Sequence, residues 1–286
     1  MIRSLLLLLL LPGLALANKP LSVFVSVPPI KTFVEKIGGK QVEVHHMVRP
    51  GHNPATYNPT PRQISQLAAA DIYFRVGVPF EQSWMQRIEA ANTEMHVIDT
   101  RKGLKLRSLE HHHGHDDHDQ HGRHHNSMDP HIWTSPLIVQ QILQTISQAL
   151  SELLPEYRQQ FEKNRKAYQQ QLIELDEEIH HLLEPHESKS FLVFHPGWGY
   201  FADTYHLRQV VVEQEGKEPG AHSLAQLIKQ AKQNDIQAVF VQPQFSQQMA
   251  GQIANAINGR VITIDPLSEN YIPNLRQVAH QLAETW

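Results

Sequence analysis

The chain has 286 residues, 41% hydrophobic and 19% charged, with a formal net charge of -4 and 20 histidines. That length supports two domains with sizeable cores rather than one, and the slightly acidic balance argues against a nucleic-acid partner. Cysteine is absent (Cys 0), which excludes disulfides, thiolate metal sites and a lipid-modified cysteine near the N-terminus.

Residues 1–17 carry Arg3, a leucine run from Leu5 to Leu11 and a closing Ala15-Leu16-Ala17. This pattern predicts a secretory signal peptide cleaved after Ala17 and a soluble, periplasmic mature protein. The apolar run is too short for a membrane span. Beyond it, residues 22–27, 42–48, 71–76 and 95–98 read as buried strands, with helical periodicity around 30–37, 62–70 and 81–91. Strand and helix in alternation imply a parallel sheet flanked by helices. After Asp129 the pattern turns wholly helical. From Leu154 the apolar positions Tyr157, Phe161, Tyr168, Leu172, Leu175, Ile179 and Leu182 follow a three-and-four spacing between Pro155 and Pro185, which predicts one long helix of roughly 45 Å. Alternation resumes with strands at 190–194, 208–213, 238–241 and 261–264, separated by helices near 199–205, 223–233 and 247–257 and followed by a terminal helix. The fold class expected is α/β: two Rossmann-like lobes with parallel sheets, joined by one long backbone helix. The divisions are an N-terminal lobe at 18–153 carrying a His-rich loop at 110–126, the helix at 154–185 and a C-terminal lobe at 186–286.

Metal chemistry is announced by the stretch 110–133, EHHHGHDDHDQHGRHHNSMDPHIW. Neutral imidazole is the commonest metal ligand, and Asp116, Asp117 and Asp119 add hard oxygen donors. The run itself, His111, His112, His113, His115, His118, His121, His124 and His125, is low in complexity and reads as a loop that binds metal weakly. Its candidate roles are capture of the ion, sensing of its concentration, help in transfer, or no more than a solvated linker. His113-Gly-His115-Asp-Asp117-His118 also matches the H-x-H-x-D-H pattern of metallo-β-lactamase-type hydrolases, but no good strand precedes it to hold a catalytic geometry.

Ordered ligands are sought where strands end, because ligands of open α/β sheets sit beyond the carboxyl ends of parallel strands. His195 follows SFLVF, Asp265 follows VITI, His52 lies shortly past VEVHHMV, and His131 stands where the first lobe gives way to helix. Three imidazoles and one carboxylate meeting in a cleft between lobes make a four-coordinate set suited to Zn²⁺. Eight scattered histidines, His45, His46, His180, His181, His186, His206, His222 and His280, read as surface or hydrogen-bonded residues. Asp265 has a second reading, as the cap of the turn begun by Pro266.

Several motifs carry a resemblance: Pro50-Gly-His52-Asn-Pro-Ala-Thr-Tyr57-Asn-Pro-Thr-Pro61, Asp129-Pro-His131-Ile-Trp133, Phe194-His195-Pro-Gly-Trp198, Glu215-Gly-Lys-Glu218-Pro and Ile264-Asp265-Pro-Leu. Together, and in this order, they resemble the periplasmic zinc-binding subunits of ATP-binding-cassette metal importers. The resemblance implies a metal held between two lobes by His131, His195 and Asp265, with delivery of Zn²⁺ to a membrane permease. Many relatives place a histidine where this chain has Ala55, so His52 is the expected substitute, with His45 or His46 next in line. His195 stands where manganese-binding relatives carry a carboxylate, which favours zinc over manganese as the ion. No enzyme activity is expected, a zinc hydrolase being the alternative from another class. The permease is the expected partner, a periplasmic zinc chaperone a second candidate, and the protein itself a monomer. Binding needs neutral imidazoles, so affinity should fall as pH drops toward and below about 6.5.

Overall fold

The computed structural model describes residues 19–109, 128–213 and 216–286. The leader at 1–17, the histidine run from His111 to His125 and Glu215 lie outside the described residues. The first half gives β1 (Leu21–Val25), α1 (Pro28–Gly38), β2 (Val42–His46), α2 (Pro61–Leu67), β3 (Ile72–Arg75), α3 (Pro79–Ala91) and β4 (His96–Asp99). The second gives β5 (Ser190–Val193), α6 (Gly199–Thr204), β6 (Arg208–Val211), α7 (Ala221–Gln233), β7 (Ala238–Val241), α8 (Gln247–Ala256), β8 (Arg260–Thr263) and α9 (Tyr271–Ala283). Between them stand α4 (Pro136–Leu153) and α5 (Arg158–Leu183). Both sheets are parallel, in the orders β2-β1-β3-β4 and β6-β5-β7-β8.

Five of the strands are one or two residues shorter than the apolar runs suggest, because those runs continue into buried turns: Val27, Met47, Val48, Val76 and Phe194 are all buried beyond their strand ends. Helix starts are written locally. Proline occupies the first helical turn of α1, α2, α3 and α4, where a missing N–H costs nothing. Thr60 and Gln63 close a reciprocal capping box on α2. The predicted long helix is real but starts later. Pro155 ends α4 and forms a short 3-10 turn, Pro155–Tyr157, and α5 then runs for 26 residues, about 39 Å. Its buried stripe is Phe161, Tyr168, Leu172, Leu175, Ile179 and Leu183; the spacing predicts all but the last, where it points instead to the half-buried Leu182.

The two lobes share one large core, and the second has a smaller one of its own. One apolar cluster runs from the first sheet through α1, α4 and α5 to α9 and one face of the second sheet, where Phe191, Val193 and Phe240 point. Leu192, Phe194, Val239 and Val241 alternate to the other face and form a smaller core with α7 and α8. Phe33 of α1 meets Tyr271 of α9 edge-on, ring centroids 4.8 Å apart, and Asn164 on α5 donates to the Ile37 carbonyl at 2.8 Å. Any wide hinge opening would have to part this shared core, so relative movement of the lobes is confined to small adjustments. Among the described residues no helix is long and apolar enough to cross a membrane.

Candidate metal centre

The two sheets have the same topology, and each has a switch point where the connections leave in opposite directions: β1/β3 in the first, β5/β7 in the second. The first crevice is filled by its own side chain. Glu81, fully buried, accepts from Ser26 Oγ at 2.6 Å, Arg75 Nε at 3.0 Å, Val76 N at 2.9 Å and Gly77 N at 2.9 Å. The second crevice holds His195, placed directly beyond the end of β5.

His195 is fixed from three sides. Gln242, just past β7, receives the His195 N–H on Oε1 at 3.2 Å and donates Nε2 to the His195 carbonyl at 2.8 Å. Phe245 stacks on the imidazole, centroids 4.8 Å apart and planes 16° from parallel. Glu213, two residues past β6 and itself buried, takes the Nδ1 proton at 2.6 Å. Burial pushes the imidazole's basicity below its ordinary value of 6.5, against the opposing pull of Glu213. His195 is therefore neutral near pH 7, with Nε2 left as a lone pair.

His131 reaches the same point from a different segment. Asp129-Pro130-His131 makes a tight turn in which one carboxylate oxygen, Asp129 Oδ1, accepts both the backbone N–H of His131 at 2.9 Å and its ring Nδ1–H at 2.7 Å. Asp129 is fully buried, which would raise its pKa, but these two bonds and the Arg107 guanidinium outweigh burial and hold it below the usual carboxylate value. The remaining ring nitrogen, His131 Nε2, lies 3.3 Å from His195 Nε2.

Of the four residues picked from the sequence, the structure brings these two together. Asp265 lies on a neighbouring segment. Trp133, two residues after His131, donates its indole N–H to the Pro266 carbonyl at 2.7 Å, and Tyr271 OH donates to the Trp133 carbonyl at 2.7 Å, tying the stretch after β8 to the His131 turn. The Asp265 carboxylate accepts the Leu267 N–H at 2.9 Å and faces Gln244 Nε2 at 3.5 Å, both on Oδ1, so it makes the turn cap that the following proline suggested. His52 is exposed on the loop between β2 and α2, with Nδ1 3.2 Å from the Pro50 carbonyl and the ring edge-on to Tyr57. Among the described residues no cluster of three or more His, Asp or Glu surrounds a single point. His45 and His46 belong to other networks: His45 Nε2 faces Glu43 at 3.5 Å, and His46 Nδ1 faces Glu269 at 3.5 Å.

Sequence reasoning passed over Glu213, Gln242 and the part played by Asp129. The strand-end rule that singled out His195 would have found Glu213 and Gln242, which stand just past β6 and β7. A carboxylate two residues before a histidine is the signal for Asp129.

Comparison with known proteins identifies the family. The family model described as ZnuA, zinc-uptake complex component A, periplasmic, matches residues 23–285. A crystal structure of ZnuA superposes with a TM-score of 0.86 at 38% sequence identity, covering 93% of this chain and 99% of that one. A ZnuA deletion mutant with zinc bound gives 0.84 at 39% identity, covering 93% and 98%. The Bacillus subtilis high-affinity zinc uptake system protein ZnuA is 28% identical over 253 residues, 86% of this chain and 78% of its own length. The chain spans only 56% of the Streptococcus pneumoniae zinc-binding lipoprotein AdcA, to which it is 25% identical. With a family model matched along nearly its whole length and the two histidines of the family-like motifs meeting in space, the chain belongs to the ZnuA family of periplasmic zinc-uptake components.

Proposed function

We propose that this protein captures Zn²⁺ in the periplasm and hands it to an ATP-binding-cassette permease, with His131 and His195 as the anchoring ligands. The observation that carries the reading is the opposed pair of Nε2 atoms. Each Nδ1–H is committed to a carboxylate, so two lone pairs face each other at 3.3 Å, an arrangement that is repulsive until a cation sits between them. Two imidazoles at 2.0–2.1 Å from a tetrahedral Zn²⁺ stand about 3.3–3.4 Å apart, so the spacing suits that ion without rearrangement. A pair of outer carboxylates orienting both rings is the usual support of a histidine zinc site.

Asp265 and His52 complete the set in this reading. Asp265 retains Oδ2 for the ion while Oδ1 holds the turn, and His52 approaches from its exposed loop. Four protein ligands close the site against a catalytic water, which accords with transport rather than hydrolysis. The nitrogen-rich set favours zinc over manganese. The histidine run His111–His125 gathers zinc weakly as an accessory to the site, and the protein acts as an exported monomer. The named relatives are zinc-uptake and zinc-binding proteins, which supports the assignment of cargo.

Calorimetric zinc titration of the mature protein, with manganese as competitor, tests the reading. His131→Ala or His195→Ala should each weaken tight binding by orders of magnitude, Asp265→Ala and His52→Ala by less. Tight binding unchanged in both histidine variants would reject the site.

A further inference from the structure

We infer that Arg107 is a positioning residue for zinc: it joins the segment that carries His131 to the segment that carries His195, and so sets the spacing between the two ligands. The inference rests on the zinc reading above and deepens it.

Among the described residues the guanidinium meets two carboxylates, one on the His131 turn and one on α6. Arg107 Nη1 lies 3.1 Å from Asp129 Oδ2, the oxygen that Asp129 does not give to His131. Arg107 Nε lies 2.9 Å from Asp203 Oδ2 on α6. That helix begins at Gly199, four positions after His195, so a shift of α6 is a shift of the chain that leaves His195. The backbone repeats the connection. Arg107 N–H donates to Tyr200 OH at 3.1 Å, Tyr200 OH donates to the Asp129 carbonyl at 3.0 Å, and Asp129 N–H donates to the Arg107 carbonyl at 2.9 Å. The guanidinium also lies over the Tyr200 ring, 5.9 Å from its centroid. Gly199 makes the approach possible, because a Cβ there would collide with the guanidinium.

The Asp129 contact is a directed hydrogen bond from a planar guanidinium, which a point-like ammonium on a flexible stem does not reproduce, whereas Asp203 is held as an ion pair by charge alone. The Asp129 contact is buried and the guanidinium largely so, while Asp203 is 59% exposed. The chain therefore has a firm end at His131 and a solvent-facing end at α6. A weakened Asp203 contact would let the two imidazoles drift from the tetrahedral spacing, and the zinc–nitrogen bonds are sensitive to tenths of an ångström. Arg107 also stands at the neck of the histidine-rich segment, where Ser108 and Met128 bridge the two chain ends, so the same residue ties that neck to the zinc ligands.

The test measures zinc release into excess chelator, and the visible spectrum of the Co²⁺-loaded protein, for wild type and for Arg107→Met, Arg107→Lys, Asp203→Asn and His131→Ala. Melting temperatures of the metal-free proteins accompany both. Arg107→Met should release zinc at least about tenfold faster and change the Co²⁺ spectrum. Arg107→Lys should restore only part of the loss. Asp203→Asn, at an exposed carboxylate that folding tolerates, should speed release severalfold with an unchanged melting temperature, and it decides the matter should Arg107→Met fold poorly. Wild-type release and spectra in both Arg107→Met and Asp203→Asn, with tight binding lost in His131→Ala, would overturn the role of Arg107 alone. Wild-type binding in His131→Ala would overturn the zinc reading beneath it.

Discussion

Glu213 offers the sharpest measure of how much of the site lies outside its ligands. It touches no ion in the proposed arrangement, yet its Oε1 takes the Nδ1 proton of His195 at 2.6 Å. Glu213→Gln keeps an acceptor of the same shape, so ring direction and tautomer persist and only the negative charge is lost. Removal of such an outer partner costs about 10–100-fold in metal affinity, roughly 1.4–2.7 kcal/mol. The structure places the effect toward the upper half of that range, because the carboxylate is buried and its bond to the ring is short. The pH dependence has a definite sign. Burial already holds the His195 pKa below 6.5 while Glu213 pulls it up, so the variant's imidazole is less basic still. Near pH 7.5 protons compete in neither protein, and the full loss in ligand strength is read. Toward pH 5.5 protons compete more with zinc in the wild type, so the gap between the two narrows. Competition with a chromophoric chelator at both pH values measures this. Affinities within twofold at pH 7.5, in a protein whose His195→Ala variant has lost tight binding, would refute the argument.

Other outcomes follow from the same structure. Deleting residues 111–125 should remove weak zinc equivalents from a calorimetric titration and leave one tight site, since both proposed anchoring ligands and their carboxylates lie outside that run; loss of the tight site would show that the run supplies a ligand. In the metal-free protein, burial depresses the pKa of both His46 and His195, so native stability should be complete above about pH 6.5, where the unfolded imidazole is neutral, and should fall as pH drops through the depressed values. His46→Gln should flatten part of that decline in thermal melts, and an unchanged slope would count against a half-buried, neutral His46. Glu81→Ala should cost about 3–5 kcal/mol in urea unfolding, because it strands Arg75, Ser26 and two backbone N–H groups in a buried crevice; a cost under about 1 kcal/mol would mean that water replaces the carboxylate.

The sequence by itself determined the class of fold, the long helix and the chemistry of the cargo. Apolar periodicity is local, so the runs at 22–27 and 190–194 declare strands, and the stripe from Phe161 to Ile179 declares α5, without any knowledge of their neighbours. Strand-end position singled out His195 because topology places ligands there in any parallel sheet. What the sequence made conspicuous, the histidine run, lies outside the described residues, and the pair that the fold brings together is the quieter His131 and His195. The meeting of His131 with His195 is a contact between residues 64 apart along the chain, and nothing local encodes its 3.3 Å. Likewise, Arg107 is one cation among Lys+Arg 25 until folding sets it between Asp129 and Asp203. Only the tertiary structure decided that Glu81 closes the first switch-point crevice, that His195 occupies the second, and that one shared core holds the lobes together. Those outcomes depend on distances between segments far apart in the chain, which burial and hydrogen-bond satisfaction fix only once the whole chain has packed.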